Sequence, residues 1–168
     1  LFGVSGNLMS LGAIDFGFQT TTVEFGKKNP YSIYALGMGL GKSYCGARTA
    51  AETKSTCLII CPAYLRLKWK AEIKKFYPDA TVSLFNSDRE FYPLWDTDFA
   101  IISYHFVPKA EMFFEWADMV IFDEAHMLKT MSAKRTEESH RLVFENSIKS
   151  VLLLTGTPIQ NRVHEFYS

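Results

Sequence analysis

Six short apolar runs punctuate the chain, at 31–36, 57–61, 81–85, 99–103, 119–122 and 151–154. Most are continuously apolar rather than alternating, the pattern of strands covered on both faces. Amphipathic or alanine-rich stretches at 42–53, 63–76, 109–117 and 134–146 predict helices between them. Strand alternating with helix predicts an α/β fold, a parallel sheet flanked by helices on both faces. In such sheets ligands gather at the carboxyl edge of the strands. Three polar clusters, 37–43, 123–126 and 155–158, each follow directly on an apolar run. Parallel connection is expected to bring all three to one rim.

Length and composition narrow the class. The 168 residues make one domain's worth of chain, and 48% apolar with 15% aromatic residues supplies a core and excludes wholesale disorder. Lys+Arg and Asp+Glu both number 18, so the formal charge is zero and any nucleic-acid contact must come from a local patch. Cys45, Cys57 and Cys61 lack the spacing of a four-ligand zinc site and read as reduced core thiols, which fits a reducing compartment. No segment approaches the roughly 20 apolar residues of a membrane span. The uncharged opening, 1–14, is interrupted by Gly3, Ser5, Gly6, Asn7 and Gly12 and lacks the basic start of a signal peptide. An intracellular protein, cytoplasmic or associated with DNA, is expected.

The run at 31–36 leads into Gly39-Leu40-Gly41-Lys42-Ser43 and then a helix carrying Ala47, Ala50 and Ala51. Two glycines allow a tight turn whose N–H groups point at a phosphate, and the helix start adds positive potential. Lys42 is placed to reach the β- and γ-phosphates, and the Ser43 hydroxyl to ligate Mg²⁺. Leu36 stands where the general phosphate-loop formula has a further glycine, so the match is incomplete. The competing account is a glycine turn beside a solvated lysine. The strand before and helix after favour phosphate.

Met119-Val120-Ile121-Phe122 delivers Asp123-Glu124-Ala125-His126 to the same rim. Asp123 can hold Mg²⁺ directly or through water, and Glu124 is then placed to polarise an attacking water as general base. Taken alone, Asp-Glu could equally cap the following helix. His126 alone is ambiguous, and no second histidine lies at the helical spacing of a metalloprotease. On the stretch 63–76, Leu65, Trp69, Ile73 and Phe76 recur at helical spacing and are expected to face the core. Arg66, Lys68, Lys70, Lys74 and Lys75 form the other face, with Glu72 the only acid among them.

The ordered set of motifs resembles helicase superfamily two and, within it, the Swi/Snf family of DNA translocases. Residues 37–43 (Gly-Met-Gly-Leu-Gly-Lys-Ser) resemble motif I. Residues 58–63, followed by Trp69, Glu72 and Phe76, resemble motif Ia, and 102–104 (Ile-Ser-Tyr) resemble the short motif before the acidic box. Asp123-Glu-Ala-His, a DEAH box, with Leu128, Lys129 and Ser132 behind it, resembles motif II. Residues 154–161 (Leu-Thr-Gly-Thr-Pro-Ile-Gln-Asn) resemble motif III.

The resemblance implies a RecA-like first lobe over 18–168, with 1–17 as an N-terminal extension. It implies an ATP site built from Gln19, Met38, Gly39, Leu40, Gly41, Lys42, Ser43 and Tyr44, with Gln19 reading adenine through its amide. Catalysis falls to Lys42, Asp123 and Glu124, and magnesium to Ser43 and Asp123. Thr155, Gly156 and Thr157 would couple nucleotide state to DNA movement, with His126 as a link. Backbone contacts to nucleic acid are expected from Pro62, Ala63, Tyr64, Lys68, Ser103 and Tyr104; such contacts position without reading sequence. The family usually has Asp-Glu where Leu36-Gly37 stand. Its second lobe, which carries an arginine finger, is not within these 168 residues, so the expectation is a lobe that binds ATP but hydrolyses it poorly alone. Duplex DNA translocation is the leading function. A strand-separating helicase lobe and a nucleotide-responsive binding module without turnover are the alternatives.

Overall fold

Each apolar run becomes a strand: β1 Tyr31–Ala35, β2 Cys57–Cys61, β3 Val82–Leu84, β4 Phe99–Ser103, β5 Met119–Asp123 and β6 Ser150–Thr155. The computed structural model describes residues 16–85, 94–130 and 133–156. All strand pairs are parallel, in one sheet of order β1-β6-β5-β2-β4-β3. The fold is thus the RecA-like α/β architecture expected from the sequence.

Continuous apolar runs make sense here because the sheet has a core on each face. Leu58 and Ile60 of β2, Ala100 and Ile102 of β4, and Val120 and Phe122 of β5 point to one side. Their neighbours Ile59, Ile101 and Ile121 point to the other. All nine positions are 3% exposed or less.

Helices α1 Gly17–Lys28, α2 Lys42–Thr53 and α3 Arg66–Phe76 cover the second face through Val23, Cys45, Ala50, Trp69 and Ile73. The first face is covered by a 3₁₀ turn, Tyr104–Lys109, and by α4 Glu111–Trp116, α5 Met127–Thr130 and α6 Ala133–Glu145. The expected helix at 63–76 is broken: Ala63–Leu65 is a 3₁₀ turn, closed by the Leu65 N–H on the Pro62 carbonyl at 2.9 Å, before α3 begins. The expected helix at 109–117 is shortened because the 3₁₀ turn holding Pro108 occupies its start.

Helix α1 was not foreseen. Its three consecutive threonines weaken the helical signal. Thr21 and Thr22 spend their hydroxyls on carbonyls one turn back, Gly17 O at 3.0 Å and Phe18 O at 2.8 Å, while Val23 is fully buried. Among the described residues no helix is long and apolar enough to cross a membrane. The three cysteines are buried thiols; burial pushes the Cys57 thiol well up, and the Cys61 thiol up to about 12.

The amino edge of the sheet is pinned by Asp118, just before β5. Its Oδ2 accepts the Thr56 N–H at 3.2 Å, and its Oδ1 accepts Lys149 Nζ at 2.6 Å. Burial pushes this carboxyl up, but hydrogen bonds from Lys149 and Thr56 outweigh it and hold the pKa below 3.8. A lowered folded pKa contributes stability above the unfolded pKa that disappears as pH falls through the folded value. Asp118→Asn should therefore cost about 1 kcal/mol at pH 7, a low figure because Lys149 is solvent-exposed. Urea unfolding from pH 7 downward should show the gap between parent and variant closing below pH 3.8.

Candidate functional site

Strands β1, β6 and β5 are sheet neighbours, and their ends are level. Ala35 pairs with Thr155, and Leu154 pairs with Asp123. The three polar clusters that follow these strands therefore start side by side. The glycine loop and the acidic box bound a cleft of about 420 Å³, to which the first gives Lys42 and Ser43 and the second Asp123 and Glu124. Its remaining wall comes from the 3₁₀ turn at Ala63–Leu65 and from α3, through Tyr64, Lys68, Trp69 and Glu72.

The loop takes its shape from Gly39 and Gly41, both at φ 77°, in the left-handed region that side chains disfavour. Gly41 caps α2, and the Cys45 N–H returns to its carbonyl at 2.9 Å. The preceding first-turn N–H groups, on Lys42, Ser43 and Tyr44, have no acceptor within the helix and are available to an anion. Gln19 is buried against this turn, donating to the Leu40 carbonyl at 3.2 Å and accepting the Phe16 N–H at 3.4 Å. A Cβ on Gly41 would lie 2.5 Å from Gln19 Nε2. Met38 is 89% exposed on the cleft lip. The Tyr44 ring instead packs on Phe76 of α3, centroids 4.6 Å apart, so only its main chain can serve a phosphate.

The Lys42 ammonium folds onto its own loop, donating to the Leu36 carbonyl at 2.9 Å and the Gly37 carbonyl at 3.2 Å. Both acceptors are main-chain atoms at the two positions where the resembled family carries carboxylates. Gly156, just past β6, lies against this lysine: a Cβ there would be 3.1 Å from Nζ. Thr155, the last residue of β6, is buried. Thr157 and the rest of 157–161 lie outside the described residues, as do Ser132 and 1–15.

Asp123 ends β5 and is 5% exposed. Its Oδ2 accepts the Trp69 indole N–H at 2.8 Å and its Oδ1 the Glu124 N–H at 2.9 Å. Burial pushes its pKa up, and these two bonds, with Lys42 nearby, pull it back only in part. Glu124 sits at φ 51°, an unusual backbone for a side-chain-bearing residue and one found disproportionately at functional sites. His126 places Nδ1 3.2 Å from Glu124 Oε2. The tie from the acidic box to β6 is main-chain: the Ala125 N–H donates to the Leu154 carbonyl at 2.9 Å.

Of the residues expected to meet nucleic acid, Ala63, Tyr64 and Lys68 are exposed, and Ser103 is half-buried. Pro62 is buried and starts the 3₁₀ turn. Tyr104 corrects the expectation: it is 1% exposed, and its hydroxyl donates to the Asp123 main-chain carbonyl at 2.7 Å. It braces the acidic box from beneath and has no surface to offer a phosphate.

The sequence reading assigned Trp69 to the core and Glu72 to a charged face. Trp69 is in the core, but its N–H also reaches Asp123. A buried tryptophan N–H needs an acceptor, and that was the available signal.

A family model described as the SNF2-related domain matches residues 25–168. The chain belongs to the SNF2-related domain family. Within helicase superfamily two it is a Swi/Snf-type first lobe. It is 34% identical to a Caenorhabditis elegans homolog of SWI/SNF-related matrix-associated actin-dependent regulator of chromatin subfamily A-like protein 1, over 91% of this chain and 23% of the relative. It is 33% identical to Mus musculus chromodomain-helicase-DNA-binding protein 1-like, over 78% of this chain and 16% of the relative. It also superposes on the Sulfolobus solfataricus SWI2/SNF2 ATPase core solved in complex with dsDNA, with a TM-score of 0.77 and 25% identity, covering 94% of this chain and 36% of that one. The chain thus spans less than a quarter of either of these two curated relatives.

In this SNF2-related lobe Gly41 is the most constrained position of the loop, by φ and by the Gln19 amide together. Gly41→Ala should weaken nucleotide binding at least about tenfold. Isothermal titration with ADP checks this, with circular dichroism showing the fold retained.

Proposed function

We propose that this chain is the ATP-binding lobe of a DNA-dependent ATPase that couples hydrolysis to movement along duplex DNA. A second RecA-like lobe, in cis or in trans, completes the motor. The observation that supports this most is the meeting of Lys42, Ser43, Asp123 and Glu124, from separate parts of the sequence, in one cleft.

The roles follow from chemistry. The first-turn N–H groups of α2 and the Lys42 ammonium suit a triphosphate, and Lys42 exchanges two neutral carbonyls for phosphate oxygens when it binds. Ser43 and Asp123 would hold magnesium, which prefers few protein ligands and completes its shell with phosphate and water. When bound, that ion neutralises charge developing on the transferred phosphoryl group. Glu124 takes up the proton of the attacking water, with His126 holding one of its oxygens in place. A side chain at Gly156 would meet Lys42 Nζ, so Thr155 and Gly156 lie where they can respond when the lysine moves, and the coupling role is assigned to them with Thr157. Gln19 is assigned to the base, which it would meet by exchanging its present bonds to the Leu40 carbonyl and the Phe16 N–H.

Nucleic acid is assigned to the lip formed by Pro62, Ala63, Tyr64, Lys68 and Ser103. Tyr64 and Lys68 also line the nucleotide cleft, so phosphate held there is read beside the ATP site. Duplex rather than single strands is favoured by the Sulfolobus neighbour, solved with dsDNA.

The decisive assay is ATP turnover by the protein carrying both lobes, with duplex or single-stranded DNA added. Stimulation by duplex is the expected result. Stimulation by single strands alone points to a strand-separating helicase, and ATP binding without stimulated turnover points to a binding module. In that protein Glu124→Gln should keep ATP affinity and lower turnover by about 10²-fold or more. Lys42→Ala should abolish measurable ATP binding while thermal unfolding stays cooperative.

A further inference from the structure

Helix α3 lies where motif Ia was recognised, and two of its side chains, one helical turn apart, turn into the nucleotide cleft. Trp69 donates its indole N–H to Asp123 Oδ2 at 2.8 Å, and Glu72 lines the cleft together with Ser43. Asp123 and Ser43 are the two residues assigned to magnesium. We propose that Trp69 and Glu72 are positioning residues for the metal site: α3 orients both ligands before the ion arrives.

The chemistry favours this arrangement on both sides. A hydroxyl that offers a lone pair to a cation must direct its hydrogen elsewhere, and Glu72, in the same cleft, is the acceptor assigned to it. A carboxylate at the end of a strand can swing about its last torsion. Asp123 cannot, because Trp69 fixes Oδ2 and the Glu124 N–H fixes Oδ1. Trp69 is itself 2% exposed among Cys45, Ile121 and Leu154, so its N–H is held still. Groups that orient metal ligands from behind in this way typically change metal affinity by about 10–100-fold when lost. The same helix carries Lys68 in its first turn and is preceded by Tyr64, both lining the cleft. A shift of α3 under a bound nucleic acid would therefore reach Asp123 through the Trp69 hydrogen bond.

The inference rests on the nucleotide–magnesium reading and can fail separately from it. Titrate the 168-residue chain with ADP, once with Mg²⁺ and once with EDTA, and take the ratio of the two affinities. Trp69→Phe keeps the ring face and removes the N–H, while Glu72→Gln keeps the shape and removes the charge. Each should shrink the Mg²⁺-dependent gain by about tenfold and leave metal-free ADP affinity within about twofold of the parent. A gain equal to the parent's in both variants overturns the inference, as does equal weakening with and without metal, which marks a merely structural role. If Trp69→Phe does not fold, Glu72→Gln decides alone. Lys42→Ala run in parallel separates the two claims: unchanged binding there sinks the nucleotide reading itself, whatever α3 does.

Discussion

The site depends on one register. Parallel pairing brings Ala35 level with Thr155 and Leu154 level with Asp123, so three loops distant in sequence leave the sheet at the same height. Slipping one strand by a single residue would exchange its two faces, moving Ile121 and Leu152 from the core under α2 and α3 into the opposite one. Both faces are filled with apolar side chains, so that slip is strongly opposed. The glycine loop, the acidic box and the residues that follow β6 are therefore aligned by the packing of the sheet, before any ligand contributes energy.

Burial sharpens the electrostatics of that alignment. Asp123 is nearly excluded from water, and a carboxylate in that condition costs free energy unless hydrogen bonds surround it. Trp69 and the Glu124 N–H supply two of them, and Tyr104 takes the main-chain carbonyl of the same residue. Among the described residues no buried side-chain nitrogen or oxygen is left without a partner. The net effect still raises the pKa of Asp123, which means that the ionised form is held at a cost a cation can relieve. Lys42 already lies near enough to lower it, and magnesium would act in the same direction more strongly.

How much of this could be read from residues alone depended on the signal. Strands were legible because a run such as Cys57-Leu-Ile-Ile-Cys has one stable use in an α/β fold; the observed β2 and β4 match the expected limits. Helix α2 was legible from its glycine start and alanines. Helix α1 was not, because Thr20-Thr21-Thr22 favours it only after the hydroxyls find carbonyls and Val23 finds the core. Within the site, motif residues that act through their own spacing, Gly41 and Lys42 above all, were placed correctly in the cleft. Tyr104 was misplaced because a tyrosine at the end of a strand looks the same whether it faces solvent or folds beneath a neighbouring strand. Only the sheet order decides that. With β4 one strand removed from β5 across β2, the ring reaches the acidic box instead of the surface.

The same reasoning explains why α3 carries more than its hydrophobic period suggests. Trp69 and Ile73 share the face that packs on the sheet, and by helical geometry Glu72 lies about 60° from Trp69 around the axis. A side chain at that boundary is neither core nor free surface, so it turns to the cleft at the edge of the sheet, which it lines together with Ser43. Burial pushes the Glu72 carboxyl up, and Lys68, four residues before it, opposes that shift at the mouth of the cleft. The helix thus has a core stripe, a cleft edge and an exposed basic side, and these cannot move independently because one rigid cylinder carries all three. A contact on the basic side that tilts α3 must disturb either the packing of Ile73 or the hydrogen bond from Trp69 to Asp123.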